Sequence, residues 1–318
     1  GYGIRYQYGM FKQEIVDGQQ VEKPDLWLDK DMAWQFARPN KHYPVAFGGQ
    51  LRSIGPIKYW EPSEKITALG YDEIIPGYGG EVANPLRLWT AHAGSLFDLA
   101  DFNKGDYFSA MRNQTSDENI SRVLYPNDST ESGHELRLKQ EYFLVSASVP
   151  DIIARHKCRF DSIETLADEV AIHLNDTHPV LAIPELMRIL IDEEGIAWQD
   201  AWAMCCKIFS YTNHTLMSEA LESWSVDLMG RLLPRHLDLI FEINEYFLDS
   251  VRELGEYDEE FIRRVSIIDE GYERRVRMAW LAVVASHKVN GVAKIHSDLM
   301  TTSIFADFAE LFPERFTN

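Results

Sequence analysis

One order of elements occurs twice in this chain and restricts its fold more than any other feature. Val170-Ala-Ile-His-Leu174 is strand-like, the polar run Asn175-Asp-Thr-His178 follows, and after Pro179 comes the helical stretch Ile183-Pro-Glu-Leu-Met-Arg-Ile-Leu190. Ile208-Phe-Ser-Tyr211 repeats the strand, Thr212-Asn-His-Thr215 the polar loop, and Ser218-Glu-Ala-Leu-Glu222 the helix. This alternation predicts an α/β fold with both loops at one edge of a parallel sheet. In such sheets ligands gather outside the carboxyl ends of the strands. The two loops offer amides, hydroxyls, imidazoles and a carboxylate, but no Lys or Arg. That set suits a neutral polyhydroxylated ligand such as a sugar, and does not suit a phosphate. Asn, Asp and Thr are equally ordinary turn and cap residues, so the pattern alone leaves a purely structural loop open.

The remaining sequence divides in two. Residues 1–134 read as β-rich and turn-rich, with a hairpin expected where Tyr43-Pro-Val-Ala-Phe47 runs through Gly48-Gly49 into Gln50-Leu-Arg-Ser-Ile54. Pro44 argues for an edge strand there. Leu86-Arg-Leu-Trp-Thr-Ala91 alternates like a strand. Residues 135–318 read as α/β and helical. A helix is expected from Glu135 to Ile153, a long amphipathic one after Pro234, and a buried one over Arg274–Lys288 that ends at a turn, Asn290-Gly291.

Composition excludes several partners. Asp and Glu exceed Lys and Arg by 50 to 31, a net charge of −19. Such a surface repels phosphate backbones and anionic membranes, so neither nucleic acid nor a membrane is expected. No segment supplies the ~20 apolar residues that cross a bilayer. The three cysteines, Cys158, Cys205 and Cys206, form no disulfide framework, which points to a reducing, cytoplasmic compartment. Gly at position 1 and a structured run up to Asn318 make both ends read as cuts through a longer protein.

Several familiar chemistries lack their signatures. His173, Asp176 and His178 match no zinc spacing, so no metal is expected. No Walker loop, GxGxxG, GxSxG or SxxK is present, and Cys205-Cys206 is read at a strand start among apolar neighbours. A carboxylate pair for glycoside hydrolysis cannot be picked by spacing from 50 acids.

Asn175-Asp-Thr-His-Pro179 with Ile183-Pro-Glu-Leu-Met-Arg188, and Tyr211-Thr-Asn-His-Thr215, strongly resemble the α-glucan phosphorylases. The likeness spans the chain, through Gly1-Tyr-Gly-Ile-Arg-Tyr6, Arg122-Val-Leu-Tyr-Pro-Asn-Asp128, Leu136-Arg-Leu-Lys-Gln-Glu-Tyr-Phe143, Leu233-Pro-Arg-His236 and Val289-Asn-Gly-Val-Ala293. Cys205-Cys-Lys-Ile-Phe-Ser-Tyr211 and Ser266-Ile-Ile-Asp-Glu270 look most like the bacterial glycogen phosphorylases. The resemblance implies one Rossmann-like amino-terminal lobe of a two-lobed (GT-B) glycosyltransferase, with β-rich and helical additions. It also implies a transferase of carbohydrate and glycogen metabolism, in which orthophosphate releases glucose 1-phosphate from an α-1,4-glucan with pyridoxal phosphate assisting. The family places the cofactor lysine and the phosphate-binding cations in the other, carboxyl-terminal lobe, so no cofactor-binding residue is expected here. Family members are homodimers, partly through a segment matching 107–120.

Carried over by position, His214 matches the catalytic-site histidine that hydrogen-bonds the terminal glucose, and Asn290 and Val292 match residues lining the same pocket. Asp128 falls in the gate loop. Tyr125, Arg137, Asp176, His178, Thr215 and Glu219 match positions around the glucan. His214, Asp176 and Val292 are therefore expected to share one cleft. Ser129-Thr130 and Asp151-Ile-Ile-Ala-Arg155 depart from the regulated animal enzymes, so AMP activation is not expected. The other function weighed is a non-catalytic glucan-binding module.

Overall fold

A computed structural model describes the chain apart from residues 30, 31, 56, 93–98, 108–114, 116, 125, 127, 128 and 318. Tyr125, Asp128 and most of the 107–120 segment thus lie outside the described residues. The architecture is mixed α/β. It divides into two compact units, one made of Gly1–Phe47 and Glu64–Asp151, the other of Gly48–Ser63 and Ile152–Asn318.

The first unit is built on a four-stranded sheet. The strands are β1 (Tyr2–Ile4), β4 (Gln35–Phe47), β7 (Glu64–Pro76) and β8 (Ala83–His92), in the order β1-β8-β7-β4. The hairpin β2 (Gly9–Val16) and β3 (Gln19–Asp25) stands apart from it. Alternate residues of β7 and β8 are buried: Ile66 and Ala68 on one strand, Trp89 and Ala91 on the other. They face the helix Glu131–Lys157, where Trp89 Nε1 donates to Ser148 Oγ at 2.9 Å and Tyr142 meets Phe47 edge-on. The charged residues of this face are paired. Arg87 grips Asp72 with two bonds of 2.8 and 2.9 Å and reaches Asp151 at 2.6 Å. Asp151, fully buried, also accepts from the Tyr2 and Tyr43 hydroxyls at 2.8 and 2.9 Å. Burial opposes its ionisation, but these donors, Arg87 and Lys41 outweigh burial and hold the carboxyl below its ordinary range.

The second unit holds the parallel sheet. Its strands β9 (Ile172–Asn175), β10 (Phe209–Asn213) and β14 (Lys288–Gly291) lie in the order β14-β10-β9. Leu174, Phe209, Tyr211 and Val289 are buried on one face. The helix Met278–Ala285 is apolar nearly all round and almost wholly buried, while Arg315 Nη1 caps its carbonyl end at Val284 O, 2.8 Å. The helix Pro234–Leu254 begins on a proline and stops at Gly255, whose φ of +70° is the left-handed cap that glycine favours. It carries a chain of ion pairs. Arg235 bonds Asp192 at 2.8 and 3.0 Å, and His236 donates to Glu185 at 2.6 Å. Glu185 in turn accepts two bonds of 2.9 Å from Arg188.

Four expectations need correction. β4 pairs with β7, not with the next strand; β5 (Gln50–Ile54) pairs with β6 (Ile57–Glu61) instead. Gly48 and Gly49, both at positive φ, turn the chain away between them, and a Cβ on Gly49 would lie 1.9 Å from Glu61 O. Pro44 nevertheless sits on an edge strand, where its missing N–H costs no ladder bond. The buried helix is shorter than expected, because Arg275–Arg277 forms β13 against β11 (Ser223–Ser225), flanked by β12 (Ile268–Asp269), and Lys288–Gly291 is the strand β14 rather than a turn. Short alternating or β-branched runs beside an apolar helix leave periodicity ambiguous. Ser218–Ala220 is a single exposed 3-10 turn. Cys205 and Cys206 lie inside the helix Trp198–Ile208, not at a strand start.

The Glu185–His236 pair fixes how acid acts on the second unit. Burial resists Glu185 ionisation, yet Arg188 and His236 overcome it and bring the carboxyl down to about 2, from an ordinary 4.5. Its stabilisation is complete above pH 4.5 and is lost as pH falls toward 2. Burial lowers the basicity of His236 despite Glu185, so protonation below its ordinary 6.5 favours the unfolded chain. Both signs agree. The urea midpoint is expected to be flat near neutrality and to fall steadily below about pH 6.5; a midpoint that rises on acidification would contradict the pairing.

Candidate functional site at the carboxyl edge of the parallel sheet

The three parallel strands end level. Thr212 pairs with Asn175 on one side and Asn290 on the other, and Asn213 pairs with Gly291. The two polar loops and the 290–293 segment therefore leave the sheet at one edge. Asp176 turns the chain there at φ +69°, a left-handed conformation Asp tolerates better than most residues. Its N–H donates to Thr212 O at 3.0 Å, and its Oδ1 accepts from Thr177 N at 2.7 Å.

Residues of one parity share a face of the sheet and form a hydrogen-bonded row. Thr212 donates its hydroxyl to Asn290 Oδ1 at 2.8 Å. Having given its one proton, Thr212 accepts from His173 Nε2 at 2.7 Å. Asn290 Nδ2 donates to Gly291 O at 2.8 Å. One step beyond β10, His214 Nε2 lies 2.6 Å from Asn175 Oδ1. His214 is exposed, and Asn290 is half-buried.

The opposite parity anchors the edge from below. Asn213, fully buried, donates to the Tyr211 hydroxyl at 3.1 Å and accepts from His296 Nε2 at 2.9 Å. Burial pushes the Tyr211 phenol well above its ordinary range, so it stays neutral. Gly291 N donates to Ser297 Oγ at 2.9 Å. The helix Lys294–Thr302 thus hangs from β10 and β14, and Val292, 54 % exposed, lies in the short link between β14 and that helix.

Asp176, His214, Thr215, Asn290 and Val292 are brought to this one edge, with His178 half-buried in the turn just beyond Asp176. Glu219 is exposed on its 3-10 turn and accepts from Ser218 Oγ at 3.3 Å. Arg137 belongs to the first unit, half-buried on the helix Glu131–Lys157, with Nε 3.8 Å from Glu141. Sequence reasoning missed His296, Ser297 and Tyr211, which act from beneath. Their only signal is the unbroken run from Gly291 into a helix, and only the fold shows where that helix docks.

The chemistry of the edge is limited in useful ways. Its lysine neighbours are engaged: Lys288 Nζ donates to Glu314 O at 2.8 Å and Lys294 pairs with Asp298 at 3.2 Å. Burial pushes the Cys206 thiol up to about 11 and holds the Cys205 thiol well above its ordinary range, so neither is a thiolate nucleophile. Among the described residues no three metal-ligating side chains cluster, and no helix is long and apolar enough to cross a membrane. What remains, among the described residues of this edge, is a donor-and-acceptor rim of amides, hydroxyls and imidazoles with the Asp176 carboxylate.

Comparison with known proteins gives a consistent relationship. A family model described as carbohydrate phosphorylase matches residues 1–318. The chain is 63% identical over 318 residues to glycogen phosphorylase of Haemophilus influenzae and 64% identical to that of Pasteurella multocida. It is 50% identical over 326 aligned residues to the liver form of human glycogen phosphorylase. All of this chain is covered in each case, but only 39%, 39% and 38% of those relatives, so it spans well under half their length.

Gly291 offers a direct test of the anchoring. A Cβ there would lie 2.5 Å from His296 Cδ2 and 2.8 Å from Ser297 N, a backbone atom that cannot swing aside. Gly291→Ala is expected to cost about 1–3 kcal/mol, as overpacking does. It should also break the His296–Asn213 bond. Thermal unfolding of the variant checks this, and an unchanged melting temperature would show that the helix is free to move.

Proposed function

The chain belongs to the carbohydrate phosphorylase family, and from that premise we propose that it supplies the glucan side of an α-1,4-glucan phosphorylase active site. The observation that carries the reading is the edge itself: Asp176, His214, Asn290 and Val292 lie at or just beyond level strand ends, and the neighbouring Lys288 and Lys294 are engaged elsewhere. Such a rim can orient sugar hydroxyls by giving and taking hydrogen bonds, and it offers nothing to a phosphate. In this reading His214, Asn290 and Val292 hold the terminal glucose. Asp176, His178, Thr215 and Glu219 contact the glucan, as do Tyr125, Asp128 and Arg137. The reaction joins an orthophosphate oxygen to C1, breaks the C1–O bond to the glucan, and returns a proton to the departing 4-hydroxyl. Glucose 1-phosphate and a shortened chain result.

The residues at this edge do not fit pyridoxal phosphate. Lys288 and Lys294 are committed to Glu314 and Asp298, and a net charge of −19 with cation-free loops makes a poor cradle for two phosphates. The reading therefore assigns the cofactor lysine and the phosphate cations to the rest of the protein. It also takes residues 1–318 as the amino-terminal, Rossmann-like lobe of a two-lobed transferase, working as a cytoplasmic homodimer.

Two measurements test the proposal. In a protein carrying this chain within the full length of its relatives, Glu219→Ala should raise KM for glucan about three- to tenfold, one hydrogen bond's worth. KM for phosphate should hardly move, and equal changes in both would make Glu219 structural. The 318-residue chain alone should form no glucose 1-phosphate from glycogen and phosphate; turnover above background would refute the assignment of the phosphate site elsewhere.

A further inference from the structure

The imidazole of His214 has two nitrogens, and which one carries the proton decides what it can do for a ligand. Among the described residues its one hydrogen bond runs from Nε2 to Asn175 Oδ1, 2.6 Å away. A carboxamide oxygen accepts and cannot donate, so this bond requires the proton on Nε2. Nδ1 is then left as a bare lone pair on an exposed ring at the carboxyl edge of β10. We propose that Asn175 is a positioning residue that locks His214 in the Nε2–H tautomer and so presents Nδ1 to a ligand as a hydrogen-bond acceptor.

The fold favours this lock. Asn175 is the last residue of β9 and pairs with Thr212, so its side chain rises on the face that His214 continues two residues later. The backbone on both sides is fixed, because Asp176 N is tied to Thr212 O at 3.0 Å. A short polar side chain at this place can reach one ring nitrogen. The same row shows the rule again one step down, where the Thr212 hydroxyl, spent on Asn290, can only accept from His173 Nε2. Both imidazoles on this face therefore hold their protons on Nε2, but His173 Nδ1 faces Ser210 Oγ at 3.4 Å, whereas among the described residues no hydrogen bond reaches His214 Nδ1. An acceptor there takes the proton of a sugar hydroxyl, whereas the other tautomer would meet that hydroxyl as a donor.

The functional meaning rests on reading this edge as the glucan side of the site, but the tautomer itself is measurable in this chain without any ligand. Long-range proton–nitrogen NMR of the 318-residue chain near pH 8 should show His214 Nε2 protonated and pyrrole-like, with Nδ1 pyridine-like. Asn175 is exposed, so Asn175→Leu should fold and should abolish that single-tautomer pattern, giving averaged nitrogen shifts. Asn175→Gln, which keeps the amide, should restore part of it. Asn175→Asp should keep the ring doubly protonated to a pH higher by about one unit, through the added charge. A ring protonated on Nδ1 in the parent chain, or a pattern that Asn175→Leu leaves unchanged, would overturn the proposal. Either result would leave the phosphorylase reading standing, since that depends on glucose 1-phosphate formation; absence of that activity at full length would leave the tautomer lock standing.

Discussion

Thr212 is the residue on which the second unit turns. Its backbone pairs with Asn175 and Asn290 at once, and its hydroxyl links His173 to Asn290 across all three strands. Parallel strands give evenly spaced pairing, so this single register sets the level at which each chain leaves the sheet. A slip of β10 by one residue would turn Thr212 toward the buried face and bring Tyr211 to the opposite one. The apolar side chains beneath make such a slip expensive, because Phe209 and Tyr211 would leave the buried face they share with Leu174 and Val289. The hydrophobic face thus enforces the arrangement of the polar one.

Much of this was readable in the sequence, and the reasons are physical. Two strand-like runs, each leading into a polar loop, point to neighbouring parallel strands, and they pair so even though the second expected helix is only a 3-10 turn. The placement of Asn175–His178 and Thr212–Thr215 on one edge follows from that order. The third strand escaped notice because Lys288–Gly291 has four residues and follows an apolar helix whose periodicity runs into it. The hairpin misassignment has another source. Gly48-Gly49 carries the turn chemistry of a tight hairpin, yet strand pairing is settled by tertiary contacts, here Gly48 N on Leu232 O at 2.7 Å. The anchoring by His296 and Ser297 depends on where a helix docks, and no local pattern encodes that.

Charge is distributed unevenly between support and site. Arg87, Arg188 and Arg235 each answer carboxylates in or beside a core, and Lys58 spans Asp238 and Glu242 at 2.7 Å. Buried ion pairs of this kind add little net stability, but losing one partner costs about 3–5 kcal/mol. They act as fixed registers more than as sources of energy. The strand-end rim, by contrast, is mostly amides, hydroxyls and imidazoles beside the Asp176 carboxylate, so hydrogen bonding rather than fixed cations dominates what it offers a ligand.

Gly291 has a consequence for motion as well as for packing. With no room even for a methyl group between it and the first turn of the helix Lys294–Thr302, strand end and helix cannot slide past each other. The ordering of the rim is therefore completed during folding, not at the moment a ligand arrives. A ligand meets a surface whose backbone entropy has already been spent, at roughly 1–2 kcal/mol for each residue held in place. Recognition at this edge can then be fast and shallow, with side-chain rotation as the main adjustment left to make.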